Sequence, residues 1–180
     1  ILEDPQNIPP DLDQAPILTD SMPIITCSGK RRGKVAPEIT AKGLCSTKNL
    51  YYYGLKLHLN EVRRKGTLPY PLHLTLTDAA ANDLTLFKEV DYNRNYQNLS
   101  FFADKAYCDG PYFTGLADTQ NTQMNTPVKL IKGENEWTRM HQKAGRDTLS
   151  RAVSSVRHSI ESSFNWLIEH TDILRASKVR

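Results

Sequence analysis

The sequence has few cysteines and no long apolar runs, and both shortages exclude whole classes of protein. Its 180 residues include three cysteines, Cys27, Cys45 and Cys108, and no two of them form a C-x-x-C pair. Such a set argues against a disulfide framework and a structural zinc site, so we expect small apolar side chains in a reducing compartment. No apolar run approaches the roughly 20 residues of a membrane span, and no signal-peptide pattern opens the chain. We therefore expect no membrane partner.

The composition is that of an ordinary globular chain. Apolar residues make up 39% and charged residues 24%, without internal repeats or low-complexity tracts, and the net charge of +3 is mildly basic. Residues 1–14 are rich in proline, aspartate and glutamine, which predicts an extended lead-in, and residues 15–180 are long enough for one domain with a core. The chain opens on Ile1 and stops after a basic cluster, so we expect both ends to be cut from a longer protein.

Periodicity predicts a chain that begins with strands and ends with helices. Three strands are predicted in succession, over the run that carries Asp20, over 53–59 and over 71–77, with a hairpin turn at Gly66 between the last two. Residues 28–48 are predicted to be a loop. Further strands are predicted over 99–103 and 127–131, and helices over 83–90, 112–118, 134–143 and 147–170, the last two separated at Gly145. This order predicts an α/β fold with a mixed sheet, three antiparallel strands first and parallel strands after them, flanked by helices.

Three acidic residues lie at positions that suit a metal-binding site. Asp20 and Asp104 each end a short apolar run, and Glu161 lies at the border of an apolar helical stripe. If the two strands run parallel, their carboxyl ends meet at one edge of the sheet, where ligands gather. Carboxylate oxygens are the ligands that Mg²⁺ prefers, and so the acids predict a divalent-cation site.

Several basic residues are candidates for contact with a polyanion. Arg157 lies one turn before Glu161, where it either orients that acid, contacts a phosphate or forms an ordinary exposed ion pair. Lys105 follows Asp104 directly and faces either nucleic acid or solvent. A further basic run is either a solvated loop or a phosphate-binding arm, and it consists of Lys30, Arg31, Arg32 and Lys34. His58 and His73 have no metal-ligand spacing and are expected inside a sheet. Trp137 and Trp166 are expected to pack in the core, with stacking on a flipped base as the alternative.

Four motifs in this order resemble the catalytic core of bacterial insertion-sequence DDE transposases. They are Leu18-Thr-Asp20-Ser-Met-Pro-Ile, Tyr53-Gly-Leu-Lys-Leu-His58, Ala103-Asp104-Lys-Ala-Tyr107 and Arg157-His-Ser-Ile-Glu161-Ser-Ser-Phe164. Related branches carry a tyrosine and a lysine around the last motif, and here Ser154 and Ile168 occupy those approximate places. The helix-turn-helix segment that usually precedes the core is not in this sequence, so the residues that recognise transposon ends would lie elsewhere.

The resemblance implies an RNase H-like fold and a specific chemistry. Asp20, Asp104 and Glu161 would hold two Mg²⁺ or Mn²⁺ ions, about 3.5–4 Å apart, for cleavage of transposon ends and strand transfer into target DNA. The implied partner is double-stranded DNA, bound by a homodimer at the nucleoid of the bacterial cytoplasm. One alternative is a truncated or inactive DNA-binding or assembly module that keeps the fold but no longer cuts. A carbohydrate hydrolase is disfavoured, because aromatic-lined subsites are not evident.

Overall fold

A computed structural model describes residues 15–30, 36–45, 49–129 and 133–174, with the side chains of 92–94 excepted. The predicted lead-in over 1–14 lies outside these residues. The described elements are β1 (Ile17–Ser28), β2 (Ala41–Cys45), β3 (Leu50–Val62), β4 (Tyr70–Asp78), α1 (Asp83–Arg94), β5 (Ser100–Phe102), α2 (Gly110–Gln120), β6 (Gln123–Asn125), α3 (Glu136–Arg157) and α4 (Ser159–His170). A short 3₁₀ turn, Lys105–Tyr107, follows β5.

The strands form one mixed sheet in which antiparallel pairing precedes parallel pairing. The long strand β3 pairs antiparallel with β1 along one edge and with both β2 and β4 along the other. On its far side β1 pairs parallel with β5, which in turn pairs parallel with β6. The predicted mixed α/β sheet is therefore confirmed, although four strands rather than three belong to the antiparallel part.

Two strand predictions were wrong. Residues 28–48 were predicted to be a loop, but Ala41–Cys45 pairs with the start of β3. The last strand was predicted over 127–131, whereas the structure places β6 at Gln123–Asn125 and leaves residues 127–129 outside any strand. Leu130 and Ile131 lie outside the described part of the chain. In both cases the observed strand pairs with a neighbour that is already in the sheet, which periodicity alone does not report.

Two glycines allow the central strands to pair and turn. Gly54 lies so close to β1 that an added Cβ would sit 2.0 Å from the Ile24 carbonyl oxygen, which leaves no room for a side chain. Gly66 has a φ of +73°, a conformation that favours glycine, in the turn that joins β3 to β4. The predicted hairpin at Gly66 is confirmed.

Each face of the sheet has its own core. Ile17, Val62 and Phe101 pack with Phe87 of α1 and with the buried Tyr107 on one face. On the other face, Ile160 and Phe164 of α4 pack against an apolar surface from β1 and β3 formed by Leu18, Met22, Ile24, Leu57 and Leu59. Because side chains alternate along a strand, the even-numbered residues of β1 face α4. Asp20, between Leu18 and Met22, belongs to that face.

The long C-terminal helices do not break where they were predicted to. Helix α3 runs from Glu136 to Arg157 without interruption at Gly145, where an added Cβ would meet open space. The break instead falls at His158, which ends α3 and begins α4 without capping α4 through its side chain. Arg157 and Glu161 are consequently on different helices. This junction decides the geometry of the candidate site.

Two exposed tryptophans correct the expectation that both would lie in the core. Trp137, at the start of α3, is 66% exposed, and Trp166 of α4 is also largely exposed. None of the helices in the described ranges is both long and apolar enough to span a bilayer.

Candidate active site

Asp20 is held on β1 by a guanidinium from the opposite end of the chain. Its Oδ2 accepts a hydrogen bond from Nη1 of Arg157 at 2.5 Å, and its Oδ1 accepts one from the Ser21 backbone N–H at 2.9 Å. The sequence predicted that Asp20 ends its strand, but it is the fourth of the twelve residues of β1. The neighbouring strand β5 ends beside it, so the carboxylate still lies at an edge of the parallel part of the sheet.

Asp104 reaches the same edge from the adjacent parallel strand. Leu18 of β1 is paired with Phe102 of β5, and Asp20 and Asp104 each lie two residues further along. Both acids therefore lie toward the same edge of the sheet, with Asp104 two residues beyond the end of β5. Asp104 also begins the 3₁₀ turn, because its Oδ1 accepts a hydrogen bond from the Ala106 backbone N–H at 2.7 Å. This contact fixes the direction of the carboxylate.

The two acids interact electrostatically. Burial raises the pKa of the Asp20 carboxyl to about 6, although the Arg157 guanidinium and the Ser21 N–H act in the opposite direction. The negative charges of Asp104 and Asp83 add to the increase in pKa. An ionised Asp20 is therefore costly in the metal-free protein. A bound cation would remove much of that cost, since a nearby positive charge favours the ionised form.

Glu161 does not join the two aspartates in this conformation. It lies in the first turn of α4, its side chain is 52% exposed, and its Oε2 is 3.1 Å from Nδ1 of His158. Arg157, considered as a partner for Glu161, is instead bound to Asp20. Within the described ranges, no group of three or more histidine, cysteine, aspartate or glutamate side chains is arranged to hold a metal ion. The structure thus brings together two of the three predicted acids.

The start of α4 nevertheless lies against the strand that carries Asp20. Ile160, the residue before Glu161, is fully buried in the cluster that contains Leu18 and Met22, the residues two positions before and after Asp20. The Nε of Arg157 is buried and has no hydrogen-bond partner among the described residues. One donor of the guanidinium at this junction is therefore unsatisfied.

Asp83 is a nearby acid that the sequence reasoning missed. It is the first residue of α1, and its Oδ1 accepts a hydrogen bond from Nζ of Lys56 at 3.0 Å and lies 3.7 Å from Nδ1 of His58. Its charge contributes to the raised pKa of Asp20. The only signal in the sequence was its place after Asn82, which indicated a helix cap. Because Lys56 neutralises it, Asp83 fits an electrostatic role better than a ligand role.

The basic candidates are only partly within the described residues. Lys105 is exposed directly beside Asp104, and Lys30 is exposed at the end of β1. Arg31, Arg32 and Lys34 lie outside the described ranges. His58 is buried in the sheet, as predicted, with its Nε2 2.8 Å from Oγ1 of Thr77.

The raised pKa of Asp20 predicts a pH-dependent affinity for cations. A proton on Asp20 competes with the metal, so we expect Mn²⁺ affinity to rise by about tenfold per pH unit below pH 6 and to level off above pH 7. Titration of the purified protein with Mn²⁺ between pH 5 and 8, followed by electron paramagnetic resonance, measures this. The Asp20→Asn variant is the control, and its Mn²⁺ affinity should not rise with pH in this way. An affinity that is constant from pH 5 to 7 in the unsubstituted protein would contradict the assignment.

A family model described as "Transposase DDE domain" matches residues 13–179. No curated protein and no solved structure matches the chain.

Proposed function

Because the chain belongs to the DDE transposase domain family, we propose that it cleaves phosphodiester bonds at the ends of an insertion sequence and joins them to target DNA. Transposases act on DNA, and DDE transposases generally use divalent metal ions. The observation that carries the proposal is that Asp20 on β1 and Asp104, just after β5, lie at the same edge of the sheet, each two residues beyond the paired Leu18 and Phe102. Two hard oxygen ligands at one sheet edge are what such a cation requires.

We also propose that residues 15–180 form a single RNase H-like catalytic core. The order β4-β3-β1-β5-β6, antiparallel in its first half and parallel in its second, supports that assignment. Asp20 lies on β1 and Asp104 lies just after β5, and these two strands are where the parallel half begins. Ligands of α/β sheets gather beyond the carboxyl ends of such strands, and this agrees with a catalytic role for that edge.

Asp20, Asp104 and Glu161 are the proposed ligands of two Mg²⁺ or Mn²⁺ ions. Burial is the main cause of the raised pKa of Asp20, and the charge of Asp104 adds to it, which fits a pair of carboxylates that share a cation. Glu161 would join them by rotation of its exposed side chain or by adjustment at the His158 junction. The packing of Ile160 beside Leu18 and Met22 supports this, since it holds the start of α4 near Asp20.

The remaining candidate residues would orient the acidic ligands and neutralise the charge of the DNA backbone. Arg157 orients the Asp20 carboxylate by a charge-assisted hydrogen bond, and its unsatisfied Nε is a donor for a phosphate or for Glu161. Lys105, and the run that starts at Lys30, would contact the DNA backbone. The chemistry supplied by bound cations is activation of a water or 3′-hydroxyl and stabilisation of the leaving 3′-oxygen. Two DNA ends must be held together for strand transfer, so we propose a homodimer on DNA in the bacterial cytoplasm.

A cleavage assay tests the function. The purified chain is incubated with Mn²⁺ and labelled duplexes from the DNA that flanks its coding sequence, beside Asp104→Asn and Asp118→Asn. Asp118 is an exposed residue of α2, so its substitution is a matched control for loss of one carboxylate. We expect nicking by the unsubstituted and Asp118→Asn proteins, and a loss of about 1,000-fold in Asp104→Asn, because a ligand of the catalytic cation is removed.

The exposed position of Glu161 is the observation that favours the alternative, a DNA-binding or assembly module that does not cut. That alternative predicts DNA binding without metal-dependent nicking by the unsubstituted protein. Nicking that persists in Asp104→Asn would show that the reaction occurs elsewhere.

A further inference from the structure

An open groove of about 390 Å³ lies beside the candidate active site, between β2, the first residues of β3 and the segment that precedes α1. Ala106 lines one end of it, and the backbone N–H of the same residue donates to the Asp104 carboxylate. Its wall includes three consecutive alanines, Ala79–Ala81, whose small side chains leave it open. The volume lies within the range of pockets that hold small organic ligands.

The groove is also lined by an aromatic ring that is exposed to solvent. Tyr51 is 57% exposed, although aromatic side chains on strands are usually packed against neighbours. Nζ of Lys42, on the paired strand β2, lies 5.2 Å from the centre of the Tyr51 ring. Because this ammonium lies over one face of the ring, a base would stack on the opposite face of Tyr51. Aromatic rings and lysines are the side chains with which proteins bind unpaired bases and their phosphates.

The charges around the groove suit a polyanion. The backbone N–H of Gly29 donates to the Tyr51 carbonyl at 2.9 Å, so Lys30, the next residue, follows β1 near the Tyr51 backbone. The carboxylate that lines the groove, Asp83, is paired with Lys56 at 3.0 Å. Asp83 therefore does not cancel the positive charges of Lys42 and Lys30.

We propose that this groove binds one unpaired nucleotide of the DNA strand that reaches Asp104, with its base stacked on Tyr51 and its phosphate bound by Lys42. The inference rests on the proposed function for the identity of the polymer. It adds a binding site for a frayed or single-stranded end next to the carboxylates. The site would favour DNA with unpaired nucleotides over a blunt duplex, and it would be tolerant of sequence, because every base has a stacking face.

A binding assay with matched DNA pairs tests this proposal. Fluorescence anisotropy is measured in Ca²⁺ with one duplex sequence, either blunt or carrying a three-nucleotide overhang on either strand. Tyr51→Ala should weaken binding to an overhang duplex by about 5- to 150-fold and binding to the blunt duplex by less than about twofold. Tyr51→Phe should retain the preference. Trp137→Ala, which removes an exposed ring on α3, is the control and should leave the preference unchanged.

A second variant examines the phosphate contact. Lys42→Ala should lower the salt dependence of overhang binding by about one unit in log–log slope, and Lys143→Ala, an exposed lysine of α3, should not. A 2-aminopurine in the overhang should change its emission on binding to the unsubstituted protein but not to Tyr51→Ala. Measured at protein concentrations that saturate the DNA, this optical readout does not depend on affinity.

The outcomes separate this proposal from the proposed function. Equal losses on blunt and overhang DNA, or no loss in Tyr51→Ala, would overturn the nucleotide site even if Asp104→Asn abolishes nicking. A selective loss in Tyr51→Ala in a protein that never nicks DNA would support the nucleotide site and contradict the enzyme.

Discussion

Replacing Asp20 with asparagine should reduce metal-dependent nicking by about 1,000-fold or more, because the amide removes a charged ligand from the proposed cation site. The same substitution should leave thermal stability at pH 8 equal to or above that of the unsubstituted protein. This combination is unusual for a buried residue. It follows from the raised pKa of the Asp20 carboxyl.

The sign of the stability effect follows from proton binding. The pKa of Asp20 is about 6 in the folded protein, against 3.8 for an unperturbed aspartate, so the folded state binds the proton more tightly than the unfolded state. The contribution of Asp20 to the free energy of unfolding is then greatest below pH 4, and it falls by on the order of 3 kcal/mol as pH rises to about 6 and beyond. Asparagine avoids that cost, but it leaves Arg157 without its carboxylate, which offsets part of the gain.

Thermal unfolding and the nicking assay, performed on the same preparations at pH 8, measure both effects. Asp118→Asn is the matched control and should change neither quantity. If Asp20→Asn lowers the melting temperature by many degrees, the loss of activity would reflect folding. If it retains activity, Asp20 is not a ligand of the catalytic cation.

The second large effect is expected at Glu61, a buried acid away from the candidate active site. Glu61 is 3% exposed, and it lines an apolar cavity of about 200 Å³ together with Leu59, Leu68, Trp166 and Leu167. Its Oε2 has no hydrogen-bond partner among the described residues. Burial raises the pKa of its carboxyl to about 7, and the Ser163 hydroxyl nearby offsets only part of the increase.

Glu61→Gln should therefore stabilise the protein by about 3 kcal/mol at pH 8 and by less than about 1 kcal/mol at pH 5. The ordinary pKa of 4.5 is raised in the folded state, so the protein loses stability as pH rises from about 4.5 to 7. The neutral amide has no such loss. Denaturant unfolding at the two pH values, with the exposed Glu169→Gln as the control, measures the difference. A gain that is the same at both pH values, or a destabilisation at pH 8, would contradict the burial argument.

The sequence predicted most of the sheet because its central strands carry strong local signals. The alternation in β3 and β4 and the Gly66 turn between them were sufficient to predict the hairpin. Strand β2 has no such signal, since Ala41-Lys-Gly-Leu-Cys45 becomes a strand only by pairing with β3. Strand β6 is short, and Asn125 contributes a side-chain amide that donates to Ser100 Oγ and to the Phe101 carbonyl. Such contacts between distant segments cannot be deduced from the spacing of apolar residues along the sequence.

The candidate site was predicted in part for a similar reason. Asp20 and Asp104 were recognisable because each follows a short apolar run, and the parallel pairing of β1 with β5 directs them to the same edge of the sheet. The relation of Arg157 to Glu161 could not be predicted. The low helix propensity of glycine predicts a helix break at Gly145. The break occurs instead at His158, a residue type with no comparable signal. Arg157 and Glu161, although four residues apart, therefore do not lie one turn apart on a single helix.

The most direct test of the account is a crystal structure of the protein with Mn²⁺ and a DNA end, with the ions located by anomalous scattering. The account predicts manganese bound between Asp20 and Asp104, with the Glu161 carboxylate turned from His158 toward the metal. Manganese that is absent from both aspartates, or that is bound to them while Glu161 still faces solvent, would contradict the three-acid site.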